Sequence, residues 1–283
     1  MSKVMVITDS TAYIPEEILT KYNIVSIPQV LIWGEETYKD GVDIQPAEFY
    51  KRLETAKLMP STSQISPMTM KVEFEKFLEQ GYQLCCIFVS SKLSGTIQSG
   101  IQALDMMEKG KNKIAIIDSK STAMAMGFQV IEVAKAAQKG ASLKECKTIA
   151  EAVKDKTGVL FVVDTLEFLH RGGRIGGAQR LLGTALKFKP ILELRDGRIE
   201  SIEKVRTKGK AYTRLVEILV DRIGDTPNVH LASLNANAET DANWLLSKVI
   251  EKIKPVETIT SIVSPVVGTH AGPGTVGIAY MAG

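Results

Sequence analysis

The sequence predicts an α/β protein in which a mainly parallel α/β domain is followed by a smaller α+β domain. Apolar runs and helical segments alternate through the first half, and each run has the length of one buried strand. In the second half, Asp196-Gly197 separates two strand-like runs, which is a strong hairpin signal and introduces antiparallel pairing. We therefore place the domains at residues 1–158 and 159–283 and expect a ligand in the crease between them.

The predicted elements of the first domain are supported by signals at their ends. Proline in the first turn favours helices that begin near Pro15 and Pro46. Ser142 followed by Glu145 is a capping-box pattern, and Pro28 is typical of an edge or bulged strand. The predicted strands are 4–7, 23–33, 84–89 and 114–117. Four predicted helices begin near residues 15, 46, 70 and 95, and two more span 123–139 and 142–156. Residues 60–67 are predicted to form a rigid polar loop.

The second domain has shorter elements in a less regular order. A basic, glycine-rich loop at 171–177 separates a short helix at 165–170 from a helix near Leu186. The predicted strands are 159–163, 190–194, 198–200, 229–234, 258–263 and 276–280, and the remaining helices span 212–221 and 241–252.

Composition excludes several classes of protein. Of the 283 residues, 45% are hydrophobic and 24% are charged, which is typical of a globular protein. A net charge of +3 without a long basic stripe argues against nucleic-acid binding. The three cysteines match neither a disulfide framework nor a metal site, and no apolar run reaches the roughly 18 residues of a membrane span. We expect a cytoplasmic protein without a signal peptide, a metal or a stable membrane insertion.

The turn after the strand at 84–89 has the features of an anion site. Ser94-Gly95-Thr96 combines a hydroxyl group, free backbone N–H groups and the start of a helix. Two other interpretations of Ser94 remain open. It is either a plain helix cap or a nucleophile with His270 as its base, although the first glycine of a G-x-S-x-G elbow is missing.

Three other loops carry polar side chains that suit a ligand. Thr62 and Ser63 lie between prolines, where hydroxyl groups also bond to their own backbone. Arg174 lies among glycines, which let a guanidinium approach a ligand, although a solvated arginine is equally compatible with the pattern. His270 lies in a glycine-rich loop with no helix or strand of its own. The G-x-G-x-x-G match at 272–277 lacks the helix and acidic residue of a dinucleotide fingerprint, so we expect no nucleotide cofactor.

Six segments together make this sequence resemble the DegV family. They occur in order from the first predicted strand to the last, so the combination is specific although each motif alone is weak. The segments are 7–12 (ITDSTA), 60–64 (PSTSQ), 90–96 (SSKLSGT), 169–175 (LHRGGRI), 189–192 (KPIL) and 270–277 (HAGPGTVG).

The resemblance implies a two-domain DegV-like fold that binds one long-chain fatty acid, such as palmitate, between its domains. It implies a non-catalytic carrier: a separate fatty acid kinase subunit would phosphorylate the bound acid with ATP, and this chain would then carry the acyl phosphate. The implied head-group residues are Thr62 and Ser94 as carboxylate ligands, with Ser63, Gly95, Arg174 and His270 close by.

Two departures from the family pattern bear on the implied function. Residues 60–65 read Pro-Ser-Thr-Ser-Gln-Ile where many relatives have threonine and proline, and Lys92 stands where glycine is common. Neither departure removes an implied carboxylate ligand, but both bear on the shape of the loop and therefore on chain-length preference. The alternatives are a stand-alone serine hydrolase or acyltransferase that uses Ser94 and His270, and a lipid sensor without chemistry. The basic run at 204–210 is either a solvated turn or a surface for an acidic partner.

Overall fold

The computed structural model describes residues 3–283, except for the side chains of residues 184–187. The strands are β1 (Val4–Asp9), β2 (Ile24–Ile27), β3 (Val30–Trp33), β4 (Glu36–Lys39), β5 (Ser61–Ser63), β6 (Gln83–Phe88), β7 (Ile114–Asp118), β8 (Thr157–Val162), β9 (Lys189–Arg195), β10 (Arg198–Val205), β11 (His230–Asn235), β12 (Glu257–Ile262) and β13 (Val276–Met281). The α-helices are α1 (Glu16–Tyr22), α2 (Pro46–Glu54), α3 (Pro67–Glu79), α4 (Thr96–Met106), α5 (Ala123–Gln138), α6 (Leu143–Lys154), α7 (Glu167–Arg171), α8 (Lys208–Ile223), α9 (Glu239–Ile253) and α10 (Pro265–Ala271). Short 3-10 helices cover Ser10–Ala12, Lys111–Lys113 and Gly176–Lys187.

The first sheet is parallel throughout, with the strand order β2-β1-β6-β7. Both of its faces are covered by helices. Val4 and Val6 belong to the hydrophobic cluster that includes α5 and α6, whereas Met5 and Ile7 belong to the cluster of α3 and α4. Burial on both faces explains why these strands read as continuous apolar runs. The predicted parallel α/β arrangement is confirmed.

The second sheet is mixed, with the strand order β10-β9-β8-β13-β11-β12. Its antiparallel hairpin turns at Asp196-Gly197, as predicted, and both residues have the positive φ (50° and 84°) that a tight hairpin turn requires. Helices α8 and α9 cover one face, and α5 packs against β8 and β13 on the other. Because α5 lies between the two sheets, it is buried along most of its length.

A third, small sheet was not predicted. Residues 23–33 form two strands instead of one: β2 is an edge strand of the parallel sheet, and β3 turns away after Pro28. The segment predicted as a loop at 60–67 contains β5, which pairs with β3 and sets Thr62 opposite Leu31. A proline-flanked run of hydroxyl residues has little intrinsic β signal, so this pairing depends on β3 being nearby.

Two other expectations in the second half need correction. His270 does not lie in a loop but in α10, which begins with Ser264 as its cap and Pro265 in its first turn. The helix expected near Leu186 is the 3-10 helix Gly176–Lys187, and the Leu186 side chain lies outside the described residues. The capping box of Ser142 and Glu145 at the start of α6 is confirmed. Within residues 3–283, no helix is both long and apolar enough to cross a bilayer.

Candidate functional site

A cavity of about 220 Å³ lies between the second sheet and the segments that follow the carboxyl ends of the strands of the first sheet. Much of its wall is aliphatic or aromatic, which suits an apolar guest. The apolar wall includes Val89, Ala123, Val159, Phe161, Leu194, Ile199 and Leu234. The polar side chains that reach it include Thr62, Ser63, Gln64, Ser94, Arg174 and His270.

Thr62 and His270 meet at this cavity although 208 positions separate them. Strand β5 fixes Thr62 through its pairing with β3, and α10 presents His270 from the other half of the chain. The Thr62 hydroxyl oxygen and the His270 Nε2 atom are 2.8 Å apart, which is a normal hydrogen bond. Neither element was predicted from the sequence, so this contact is a product of the tertiary fold.

His270 is held in its neutral form. Burial, and then the nearby positive charge of Arg174, lower the pKa of its imidazole to about 4. Its Nδ1 atom is buried with no partner in the described part of the chain and lies against Gly172. A buried orphan N–H is rarer than a buried orphan acceptor, so we assign the proton to Nε2. Nε2 then donates to Thr62, which leaves the hydroxyl hydrogen of Thr62 free for a ligand.

Ser94 lies in the tight turn between β6 and α4. Its hydroxyl oxygen is 2.8 Å from that of Thr96 and accepts a longer bond, 3.3 Å, from the Thr96 backbone N–H. Gly95, not Ser94, is the N-cap residue of α4. A side chain at Gly95 would place its Cβ 2.1 Å from the amide oxygen of Gln64, so glycine is required for Gln64 to lie over this turn.

Arg174 connects the Ser94 turn to the His270 region. Its Nε donates to the backbone carbonyl of Leu93 at 2.9 Å, and its Nη1 donates to that of Gly172 at 2.6 Å. None of the ion pairs among residues 3–283 with described side chains involves Arg174. Partial burial lowers the pKa of its guanidinium, but guanidinium is so basic that the group stays charged at neutral pH. The site therefore holds a half-buried cation without an acidic partner.

The structure brings the predicted head-group residues to one region. Thr62 touches His270, His270 lies on Gly172, and Arg174 joins Gly172 to the Ser94 turn. The other two predicted residues are also there: Ser63 lines the cavity, and Gly95 lies beneath Gln64, which lines it too. Their roles toward a ligand stay predictions.

Two buried carboxyl groups support the site and were not predicted. Asp9 accepts bonds from Thr11 and from the Val89 backbone N–H, and burial raises its pKa. Asp40 accepts bonds from Ser10 and, at 3.0 Å, from the backbone N–H of Val266 in the first turn of α10. Burial likewise raises the pKa of Asp40.

A sequence signal existed for Asp9 but not for Asp40. Asp9 ends the first parallel strand, and ligand sites in parallel sheets lie at the carboxyl ends of strands. Asp40 follows the unpredicted strand β4, and its main contacts are remote in sequence.

The hydroxyl and imidazole groups do not form a hydrolase-like pair. His270 Nε2 bonds to Thr62, its Nδ1 has no partner among the described residues, and Ser94 bonds to Thr96. A serine nucleophile needs a base within hydrogen-bond reach and a group that orients the base. Nor does any cluster of histidine, cysteine, aspartate or glutamate in the described part of the chain suit a metal ion.

Comparison with known proteins places this fold in one family. A family model described as "Uncharacterised protein, DegV family" matches residues 3–283. A DegV domain-containing protein of Halalkalibacterium halodurans is 34% identical over 281 residues, which cover 99% of each chain.

Solved structures agree with that assignment. A DegV family protein from Thermus thermophilus, reported for its fatty acid binding, superposes with a TM-score of 0.92 at 28% identity over 99% of each chain. DegV from Bacillus subtilis, reported as a fatty acid binding protein, superposes with a TM-score of 0.91 at 32% identity over the whole of both chains. The chain, from its first strand to its last, belongs to the DegV family.

Proposed function

We propose that this protein binds one long-chain fatty acid, with the acyl tail in the cavity between the sheets and the carboxylate at Thr62 and Ser94. The observation that carries the proposal is a largely apolar cavity whose lining also includes two hydroxyl groups, of Thr62 and Ser94, a neutral histidine and an arginine. The solved relatives reported as fatty acid binding proteins support it.

The tail supplies the affinity in this proposal. Each buried methylene contributes about 0.8 kcal/mol, so about fifteen contribute ~12 kcal/mol before the cost of immobilising the chain. Phe161, Leu194 and Ile199 of the second sheet line the cavity together with Val89, just after β6, and Ala123 at the start of α5, so the tail lies among apolar side chains.

The carboxylate fixes the position of the fatty acid along the cavity in this proposal. A carboxylate that leaves water costs several kcal/mol unless donors and an opposite charge replace its hydration. Thr62 has a free hydroxyl hydrogen because His270 donates to it, and Ser94 offers a second hydroxyl. Arg174 supplies the positive charge, since its Nη2 atom has no hydrogen bond in the described part of the chain.

The proposal extends to a partner. The chain would present the carboxylate to a separate fatty acid kinase subunit that binds ATP. A carboxylate oxygen then attacks the γ-phosphorus, a new oxygen–phosphorus bond forms, and ADP leaves. The resulting acyl phosphate stays on this chain, which acts as the carrier and contributes no catalytic residue.

Lipid extraction tests the ligand class. Mass spectrometry of the purified, denatured protein should find fatty acids of about 14 to 18 carbons in near-equal molar ratio to the chain, as enclosure in the cavity requires. Titration of delipidated protein with palmitate should then show one site per chain. Absence of lipid together with absence of palmitate binding would refute the proposal.

A variant pair tests the head-group residues. Ser94→Ala removes a proposed carboxylate ligand and should weaken palmitate binding by about tenfold or more. Ser91→Ala is the matched control, because Ser91 lies in the same turn but bonds to Asp118 away from the cavity. Equal effects of the two substitutions would contradict the assignment of Ser94.

A reconstitution tests the chemistry. With ATP, palmitate and a kinase subunit from a bacterium that encodes both proteins, hydroxylamine should trap an acyl hydroxamate. Without the kinase no product should form, and fluorogenic acyl esters should show no turnover. Ester hydrolysis abolished by Ser94→Ala would favour the hydrolase alternative instead.

A further inference from the structure

A second cavity of about 250 Å³ adjoins the first. Three residues line both cavities, namely Thr62, Arg174 and His270. These side chains therefore form the partition, and a group bound at the partition is within reach of either side. The head-group site described above uses only the side that faces the apolar cavity.

The second cavity has an apolar side, formed by Leu53, Met59, Pro60 and Phe168, and a polar side with one additional cation. Ser61 and Thr269 contribute hydroxyl groups, and Arg171 lies at the end of α7 beside Gly172. Arg171 forms an ion pair with Glu167 one helical turn earlier, and 46% and 61% of the two side chains are exposed. Such a surface pair is worth about 0–1 kcal/mol, so Arg171 can turn toward an anion at little cost.

The two ligands of the proposed function, the fatty acid and its acyl phosphate, differ in charge. A fatty acid carboxylate carries one negative charge, which the single positive charge of Arg174 balances. A phosphoryl group carries about −1.5 to −2 at neutral pH and three strong acceptor oxygens. One arginine does not balance that charge, and the partition residues do not supply enough donors for three more oxygens.

We infer that the second cavity holds the phosphoryl group of an acyl phosphate, with Arg171 and Arg174 as its paired cations and Thr62 at the junction with the acyl chain. This inference rests on the proposed function, because the acyl phosphate is the product of the kinase step proposed there. Arginine suits the role because its planar fork bonds two phosphate oxygens at once. The exposed position of Arg171 also leaves the phosphoryl group open to the donor that delivers it.

Binding of two matched ligands tests the inference. The ligands are palmitate and an acyl phosphonate of the same chain length, in which a carbon–phosphorus bond replaces the labile oxygen–phosphorus bond. Arg171→Gln should weaken phosphonate binding by about tenfold, the equivalent of one charge-assisted hydrogen bond, and leave palmitate binding within about twofold.

Two further variants sharpen the test. Glu167→Gln removes the competing carboxylate and should strengthen phosphonate binding by a few fold, the opposite direction to Arg171→Gln. Arg206→Gln is the control, because Arg206 is exposed and lies outside both cavities. It should change neither affinity. An unchanged melting temperature verifies that each variant is folded.

The outcomes separate this inference from the proposed function. If the wild-type protein binds palmitate and Arg171→Gln leaves the ratio of the two affinities unchanged, the phosphoryl site is wrong and the fatty acid proposal stands. If the wild-type protein binds neither ligand, both fail. The site is supported if Arg171→Gln weakens phosphonate binding but not palmitate binding, and if this difference from the wild type becomes smaller at high salt. Salt screens the charge of an exposed arginine and so reduces its contribution to binding.

Discussion

At the scale of single residues, the candidate site depends on the hydrogen bond between the His270 imidazole and the Thr62 hydroxyl. Because the buried Nδ1 of His270 has no partner among the described residues, the proton lies on Nε2 and is donated to Thr62. Thr62 is then both acceptor and donor. In the proposed site His270 would be a positioning residue, because it would fix the direction in which the Thr62 hydroxyl donates to the carboxylate.

Replacing Thr62 by valine tests that arrangement. Thr62→Val keeps the shape of the side chain but removes the donor, so palmitate affinity should fall about 10- to 100-fold, the range for a hydrogen bond to a charged group. Stability should fall by about 1 kcal/mol, since His270 loses its acceptor. Titration calorimetry measures the affinity and thermal unfolding the stability.

Thr37→Val is the matched control, because Thr37 is exposed on β4 of the same small sheet. Its palmitate affinity should equal that of the wild type. If Thr62→Val also binds palmitate as the wild type does, Thr62 is not a carboxylate ligand.

The lowered pKa of His270 predicts a loss of stability in acid. The unfolded chain takes up a proton near pH 6.5 but the folded chain only near pH 4, so protons favour unfolding across this window. The His270 contribution to the free energy of unfolding should be complete above pH 6.5 and fall by at most about 3 kcal/mol toward pH 4. His270→Gln should lack this decline.

Urea unfolding of both proteins between pH 7 and pH 4 measures the effect as a difference. Asp9 and Asp40, whose raised pKa values act in the opposite direction, are present in both proteins and largely cancel. A difference that stays constant over this pH range would show that His270 is not held neutral by the fold.

At the scale of elements, the position of α10 against α7 decides where His270 points. Gly172 follows α7 directly and lies under the imidazole ring. A Cβ atom at this position would be 2.1 Å from Nδ1, which is closer than any real contact, so a side chain would push the ring or the helices apart. Asp40 holds the other end of α10 through Val266.

Gly172→Ala should therefore displace His270 without unfolding the chain. The backbone of Gly172 has an ordinary φ of −75°, so the cost comes from the contact alone and should be about 1–3 kcal/mol. Palmitate affinity should fall by about tenfold, because the Thr62 hydroxyl loses its fixed direction. Thermal unfolding and palmitate titration measure the two effects.

Gly209→Ala provides the comparison in α8. No heavy atom lies within 4 Å of the new Cβ, so this substitution should stabilise the protein by up to about 1 kcal/mol and leave palmitate binding unchanged. Equal effects of the two alanine substitutions would show that the close approach of Gly172 to His270 does not position the imidazole.

At the scale of the whole molecule, the two sheets share one core. A single hydrophobic cluster contains Val6 and Ile87 of the first sheet, α5, and Phe161 and Ala232 of the second. Hydrogen bonds also cross between the halves: Ser90 donates to the carbonyl of Gly197 at 2.6 Å, and Tyr50 to that of Val263 at 3.0 Å. The first cavity is lined by residues of this shared core, among them Val89, Val159 and Phe161.

One shared core predicts a single unfolding transition. The chain has two tryptophans, Trp33 packed on Phe49 in the small sheet region and Trp244 on α9. In the single-tryptophan variants Trp33→Phe and Trp244→Phe, fluorescence should unfold at the same urea concentration as the far-ultraviolet circular dichroism of the same variant. Two separate transitions would mean that residues 1–158 and 159–283 unfold independently.

The sequence by itself determined the elements whose signal is local. The parallel strands, the hairpin at Asp196-Gly197 and the Ser142 capping box were predictable, because burial period, turn dihedrals and caps depend on a few neighbouring residues. Short motifs identified Thr62, Ser94, Arg174 and His270 as candidate site residues. The resemblance to the DegV family predicted that all four lie at the head group of one ligand.

Only the tertiary structure decided how those candidates meet. Strand β5 exists because β3 offers it a partner, and α10 is held by Asp40 from the far end of the chain. The Thr62–His270 bond and the second cavity depend on both. Contacts between residues some 200 positions apart leave no periodic pattern in the local sequence, so the sequence alone does not predict them. They form, and stabilise the protein, only when the whole chain folds around a common core.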